Sequence, residues 1–112
     1  MSDPQRELTT VADGDGPAAA HAKTALGNGS TATRLRAAIL ALAHHRGPES
    51  SICPSDAARA VGAEQWRDLT DDSRTTALTL ARGGEVEITQ RGDVVDPGRP
   101  PRGPIRIRIL PA

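Results

Sequence analysis

The sequence is poor in aromatic residues, in cysteine and in long apolar runs, and each shortage excludes a class of protein. Its 112 residues include one Trp and one Cys but no Phe or Tyr. A single cysteine cannot form an internal disulfide, which excludes a disulfide-stabilised scaffold. No apolar run approaches the roughly 18 residues that a membrane span needs, and no signal-peptide pattern is present. We therefore expect a small cytoplasmic protein with an aliphatic core and no membrane partner.

Charge is balanced over the whole chain but not along it. The formal net charge is zero, which argues against a strongly electrostatic partner for the chain as a whole. The segment from Arg91 onward nevertheless holds five arginines against two aspartates. An anionic partner would therefore meet the C-terminal end first.

The first 32 residues are rich in Asp, Gly, Ala and Thr and show no sustained apolar period. Such a segment does not bury enough apolar surface to offset its ordering entropy. The stretch PAAAHAKTAL has high helix propensity, but it lacks a face of large apolar residues that would dock on a core. The sequence thus predicts a disordered N-terminal arm over residues 1–32.

Residues 33–110 are predicted to form a single α+β domain. Leu35, Ile39 and Leu42 repeat at helical spacing, and helices over 54–61 and 71–82 follow. Alternating apolar residues in EVEITQ and IRIRIL then predict a β-hairpin and a further strand. The order of three helices, a hairpin and a strand is that of a winged-helix domain, in which a three-helix cluster packs against a small antiparallel sheet.

The stretches SICPSDAARAVG, WRDL, EVEITQRGDVVDP and GPIRIRI resemble a family of small bacterial proteins, the domain-of-unknown-function family 3253. The resemblance runs from about Leu35 to Ile109, and its most specific pieces are ICPS, TQRG and GPIR. It implies a winged-helix-like fold and brings no established activity. Two positions depart from the family pattern: Thr70-Asp71 replaces a Met-Pro pair, and Ser73 replaces an apolar residue. The acidic start weakens the case that the third helix approaches a phosphate with its N-terminus.

Cys53 allows a structural and a chemical interpretation. As the N-cap of the second helix, it would be followed by Pro54 at N1 and by Asp56 at N3, where a carboxylate reaches back to the cap N–H. As a thiol at a helix N-terminus, it would be a nucleophile with His44 or His45 as its base. We favour the structural interpretation, because it explains the neighbouring residues as well.

Metal binding is a third possibility for this cysteine. His44 and His45 are further potential ligands, but adjacent helical residues point about 100° apart and do not reach one ion together. No CxxC or HxxxH spacing supplies a fourth ligand. We expect neither a metal nor another cofactor.

Trp66, which lies close to Leu69 in the sequence, is expected to be a structural residue and the largest anchor of the aliphatic core. The alternative is a platform on which a nucleic-acid base stacks. Single-stranded nucleic acids are usually bound by several stacked aromatic rings. The lack of other aromatic residues therefore argues against this class of partner.

The third helix and the C-terminal arginines form the candidate nucleic-acid interface. In a winged-helix DNA-binding protein, Arg and Thr side chains of the third helix read base edges, and a basic wing contacts the backbone or minor groove. Against this, Asp68, Asp71 and Asp72 repel phosphate, and charges on an exposed sheet face also prevent edge pairing. The candidate residues are Arg74, Thr75, Arg82, Arg91, Arg99, Arg102, Arg106 and Arg108.

These observations favour weak or accessory binding of double-stranded DNA. The alternative is a protein-interaction or homodimerisation module, which fits the zero net charge better. An enzyme is not expected, because the sequence offers no convergent acid, base and nucleophile. Thiol-dependent chemistry at Cys53 is the one enzymatic possibility left.

Overall fold

A computed structural model describes residues 3–111 of the chain. These residues form an α+β fold, as predicted, with helices that precede a small antiparallel sheet. The elements are α1 Asp3–Ala12, α2 Pro17–Leu26, α3 Thr31–Arg46, α4 Pro54–Gly62, a 3₁₀ helix Ala63–Leu69, α5 Thr70–Arg82, β1 Val86–Gln90, β2 Asp93–Val94 and β3 Arg106–Ile109.

Helix α3 lies at the centre of the fold, where α1, α2, α4, α5 and β3 all contact it. Its N-cap is Ser30, whose hydroxyl accepts a hydrogen bond from the Thr33 N–H at 3.2 Å. Every residue from Ala37 to Ala43 is buried. A helix that is apolar on all sides is stable only when other elements surround it, which is why α3 forms the middle layer.

The N-terminal segment is ordered, so the prediction of disorder over 1–32 is wrong for residues 3–26. Leu8 of α1 is fully buried and Val11 is 6% exposed, and both belong to the core. Helix α2 packs against α1 and α3. It buries three alanines that are spaced three residues apart, namely Ala19, Ala22 and Ala25. Small side chains let helices pack closely, and this kind of docking face escapes a search for large apolar residues.

The strands form one sheet in the order β2-β1-β3, with antiparallel pairing throughout. A backbone bridge joins Ile52 to Ile107 at the free side of β3, and its two hydrogen bonds have nitrogen-to-oxygen distances of 2.8 and 2.7 Å. Arg91 and Gly92 form the two-residue turn between β1 and β2, and both have positive φ, as a type I′ turn requires. Residues 95–105, called the wing loop below, connect β2 to β3.

Trp66 is not the core anchor that the sequence predicts. The indole is half-buried and belongs to the 3₁₀ helix, in which no residue is buried. Leu69 packs against the core instead. A Cβ atom added to Gly62 would come within 2.9 Å of the Leu69 Cδ1. Because Leu69 and the bare backbone of Gly62 fill the space beneath this turn, Trp66 lies at the surface.

Candidate nucleic-acid interface

The start of α4 is a hydrogen-bonded cap joined to α5. Cys53 is the N-cap, and its N–H donates to the Asp56 carboxylate at 2.9 Å. Pro54 occupies the first turn, where its missing N–H costs no hydrogen bond. The fully buried hydroxyl of Ser73 donates to the Pro54 carbonyl at 2.7 Å. This bond fixes α5 against α4 and gives the hydroxyl at position 73 a structural role.

The Cys53 thiol is half-buried and faces an arginine of β3. Arg106 Nη1 lies 2.7 Å from Cys53 Sγ. The same guanidinium donates through Nε to the Ser51 hydroxyl at 2.8 Å and through Nη2 to the Ser51 carbonyl at 2.9 Å. Within residues 3–111, no hydrogen bond joins this thiol to His44 or His45.

Potential metal ligands are scattered over the molecule. Within the part of the chain that the structure describes, no three His, Cys, Asp or Glu side chains are grouped in a way that could hold a metal ion. The thiol of Cys53 instead borders a cleft of about 220 Å³. Pro54, Arg74 and Ile105 are among the residues that line this cleft.

The two arginines of α5 hold the wing loop in place. Arg74 Nη1 donates to the Gly103 carbonyl at 2.7 Å, and its Nη2 donates to the Pro101 carbonyl. Arg82 Nη2 donates to the Pro97 carbonyl at 3.2 Å. These side chains are predicted to contact nucleic acid, but their N–H groups are used on the protein's own backbone.

The sheet holds the wing loop from its other side. Gln90 Nε2 donates to the carbonyls of Arg102 and Pro104 at 2.7 and 3.2 Å. On β3, Arg108 forms an ion pair with Glu87, its partner in the β1–β3 register. Together with Arg106, which contacts the residues before α4, the arginines of β3 are therefore also engaged within the fold.

Three of the predicted arginines remain available to a ligand. Arg91 lies in the β1–β2 turn, and Arg99 and Arg102 lie on the wing loop. All three are exposed, and within residues 3–111 their guanidinium groups form no hydrogen bond or ion pair. These three residues are called the unpaired wing arginines below.

Helix α5 presents Arg82 to solvent in its last turn and acidic residues in its first. Thr75 is exposed, as a base-reading role would require. Asp71 and Asp72 are exposed as well, in the first turn of the helix. Both predicted arginines of this helix donate to carbonyls of the wing loop. The exposed start of the helix is acidic.

Arg46 has a structural role that the sequence did not signal. It donates to both carboxylate oxygens of Glu7 on α1, at 3.0 and 3.3 Å, and to the Ser51 carbonyl at 3.1 Å. The hydrogen bond with Glu7 raises the pKa of the Arg46 guanidinium, while burial opposes this rise. Asp56 lies 3.8 Å from the same guanidinium. Arg46 thus links α1, the end of α3 and the start of α4.

A second polar surface surrounds Trp66. The guanidinium carbons of Arg59 and Arg67 each lie 4.5 Å from the centre of the indole ring. This distance is within the range of a cation–π interaction. Trp66 also lines an open depression of about 720 Å³, which reaches the start of α1 at Asp3 and Gln5.

Comparison with known proteins identifies a family but no activity. Residues 32–110 match one family model, described as a protein of unknown function (DUF3253). No curated protein is a significant match. Within residues 3–111, no helix is long and apolar enough to cross a membrane. Of the three motif pieces, TQRG and GPIR contribute to the contacts of the wing loop through Gln90 and Gly103, and ICPS contacts Arg106 of β3 through Cys53. Since the match covers more than half of the chain, this protein belongs to the DUF3253 family.

Proposed function

We propose that this protein is a non-enzymatic, winged-helix-like protein that binds double-stranded DNA weakly through its wing loop. The observation that carries the proposal is the set of three unpaired wing arginines. They are exposed and close together in the sequence, and their positive charge is not neutralised by an ion pair within residues 3–111.

The order of elements supports the winged-helix part of the proposal. Helices α3, α4 and α5 form a three-helix cluster, and the short bridge at Ile52 lies between the first two of them in sequence. The sheet then follows with β1 and β3 paired over four residues. The wing loop lies between these two strands, where a winged-helix domain has its wing.

The distribution of charge favours backbone contacts over base readout. Arg74 and Arg82 are held by carbonyls of the wing loop, and the first turn of α5 carries Asp71 and Asp72. A carboxylate pair at this place repels the phosphates that flank a major groove. Contacts to phosphate fix position but carry no direct sequence information. We therefore expect weak binding that depends little on DNA sequence.

A pair of matched double variants tests the proposal. Arg99→Gln with Arg102→Gln removes two charges from the wing loop. Arg6→Gln with Lys23→Gln removes two exposed charges from α1 and α2. Fluorescence anisotropy with a labelled duplex at low salt measures the affinity of each full-length chain.

We expect the wing variant to bind several-fold more weakly than the wild type and the control variant to bind nearly as well. Two duplexes of unrelated sequence should give similar affinities. Equal losses in the two variants would show that only the total charge matters. No binding of the wild type at low salt would also contradict the proposal.

A second candidate function is protein binding or homodimerisation, and Trp66 favours it. Trp and Arg are enriched among the residues that dominate protein–protein binding energies. Here one half-buried Trp lies against two arginines beside an open depression. Light scattering over a range of concentrations tests self-association. A mass that rises with concentration in the wild type but not in Trp66→Ala supports it, and a constant monomer mass contradicts it.

Thiol chemistry is not part of the proposed function. The contact of Cys53 Sγ with Arg106, and the place of this residue as N-cap of α4, support a structural role. The variant Cys53→Ser keeps an N-cap side chain, because serine is a preferred residue at this position. We expect it to fold and to bind DNA like the wild type. A thiol-dependent activity that disappears in this variant would contradict a non-enzymatic function.

A further inference from the structure

Two histidines are stacked where α2 docks on α3. The ring centroids of His21 and His44 lie 6.1 Å apart, and the ring planes differ by 16°. His21 belongs to α2, which lies outside the matched segment 32–110, and His44 belongs to the last turn of α3. The stack therefore joins the N-terminal helices of this chain to the family domain.

The charge of the two rings decides whether this stack is favourable. Neutral imidazoles, like other aromatic rings, pack in offset stacks with centroids about 4.5–7 Å apart, whereas protonation adds a charge to the half-buried His21 ring. Arg36 of α3 adds positive charge near His21, and Glu85, after α5, adds negative charge. The Glu85 carboxylate is bound by Arg36 at 3.0 Å, so it does not compensate a new charge on the rings in full. Helix α1, which also packs on α2, adds no charge that acts on His21.

The α2 side of the contact with α3 consists of small side chains. Apart from the histidine pair, α2 buries only alanine side chains against its neighbours. One polar contact adds to these, from Arg34 Nε to the Ala25 carbonyl at 2.8 Å. Segments with few large buried side chains open locally at lower free energy than the core. Repulsion at the histidine pair therefore acts on a helix that buries no large side chain.

We propose that the contact between α2 and α3 is a pH-dependent switch, in which neutral His21, stacked on His44, keeps α2 docked and protonated His21 releases it. Release uncovers the surface of α3 that the α2 alanines cover. The core made by α3, α4, α5 and the sheet persists.

The direction of the pH dependence follows from the surroundings of His21. Burial is the main cause that lowers the pKa of this ring below 6.5, followed by the nearby His44 and Arg36. The unfolded or undocked chain therefore binds the proton more tightly than the docked form does. The stabilisation from neutral His21 is complete above about pH 6.5 and is lost as the pH falls from there towards the lowered value.

Hydrogen–deuterium exchange of the full-length protein tests the switch. Exchange is measured at about pH 7.5 and about pH 5.5, two conditions between which a histidine changes charge. The rates are corrected for the intrinsic pH dependence of amide exchange. We expect several-fold weaker protection over residues 17–26 at the lower pH and unchanged protection over residues 70–82. His21→Gln should abolish the difference between the two conditions, and His44→Gln should reduce it.

The adjacent histidine provides the matched control. His45 is exposed and makes no ring contact within residues 3–111, so His45→Gln should keep the full pH response of α2. Equal α2 protection at both conditions in the wild type, or a response that persists in His21→Gln, would overturn the proposal. If His21→Gln does not fold, an NMR titration of the wild-type His21 ring decides. A midpoint below about pH 6.5 supports the switch, and a midpoint at or above that value overturns it.

Discussion

Eight arginines of this protein, Arg46 and the seven of the candidate interface, divide into two sets, those held by the protein's own groups and those left to solvent. The first set donates mainly to backbone carbonyls and carboxylates and comprises Arg46, Arg74, Arg82, Arg106 and Arg108. The second set consists of the unpaired wing arginines Arg91, Arg99 and Arg102. The comparison shows that a count of positive charges overstates how many of them are available to a partner.

The composition of the wing loop explains why its carbonyls accept so many hydrogen bonds from side chains. Between residues 95 and 105 the chain has four prolines, which lack an N–H and interrupt the strand ladder. The Asp96 carbonyl accepts a hydrogen bond from the Arg99 N–H at 3.0 Å, but other carbonyls of the loop need donors from outside it. Arg74, Arg82 and Gln90 provide the missing donors from α5 and β1.

The largest effect within the first set is expected for Arg46→Ala. This change leaves Glu7, whose side chain is 19% exposed, without its two charged hydrogen bonds. Hydrogen bonds to charged groups contribute about 1.5–3 kcal/mol, so we expect the free energy of unfolding to fall by about 2 kcal/mol. Urea unfolding measures this difference.

An exposed ion pair provides the control for that variant. Arg36 and Glu85 are 49% and 44% exposed, and such surface pairs contribute at most about 1 kcal/mol. Arg36→Ala should therefore cost clearly less than Arg46→Ala. Equal losses would mean that the link from α1 to the end of α3 adds nothing to stability.

A smaller effect is expected for Arg74→Lys, which keeps the charge but not the two directed N–H groups. An ammonium does not reproduce the fork with which guanidinium contacts two carbonyls. We expect stability to fall by about 1 kcal/mol and amide exchange in the wing loop to become faster, measured by urea unfolding and by hydrogen exchange. Wild-type exchange rates in Arg74→Lys would show that charge alone, rather than the two hydrogen bonds, positions the loop.

The smallest effect on stability is expected for the unpaired wing arginines. Replacing all three with Gln removes no hydrogen bond or ion pair within residues 3–111, and surface changes of this kind usually alter stability by less than about 0.5 kcal/mol each. Thermal unfolding of the triple variant checks this. A clear drop in Tm would place these residues in the first set and remove the basis of the comparison.

The sequence predicted the elements with a sustained apolar period and missed α1, where Leu8 and Val11 are too few to set one, and also α2. Leu35, Ile39 and Leu42 marked α3, and alternation marked β1 and β3, because large apolar residues repeat there at the spacing of each element. Helix α2 docks through alanines, which have the same pattern in exposed helices. From composition alone, an ordered α2 could not be distinguished from a disordered arm.

The candidate site was predictable in outline only. The sequence located the basic segment from Arg91 onward, but not which of its arginines stay free, because the orientation of backbone carbonyls in a proline-rich loop is a tertiary property. Trp66 was misassigned for a related reason. A lone aromatic residue is usually buried, and only the packing of Leu69 against Gly62 shows that the space beneath this turn is already filled.

The dependence of DNA affinity on salt tests the central claim most directly. The logarithm of the binding constant falls with the logarithm of salt concentration by about 0.9 for each phosphate that is neutralised. The triple variant Arg91→Gln, Arg99→Gln and Arg102→Gln tests whether the unpaired wing arginines neutralise phosphates. If they do, the slope of the variant should be flatter by about 0.9 for each phosphate that is no longer neutralised, up to about three phosphates. The same slope in the triple variant and the wild type would contradict the account.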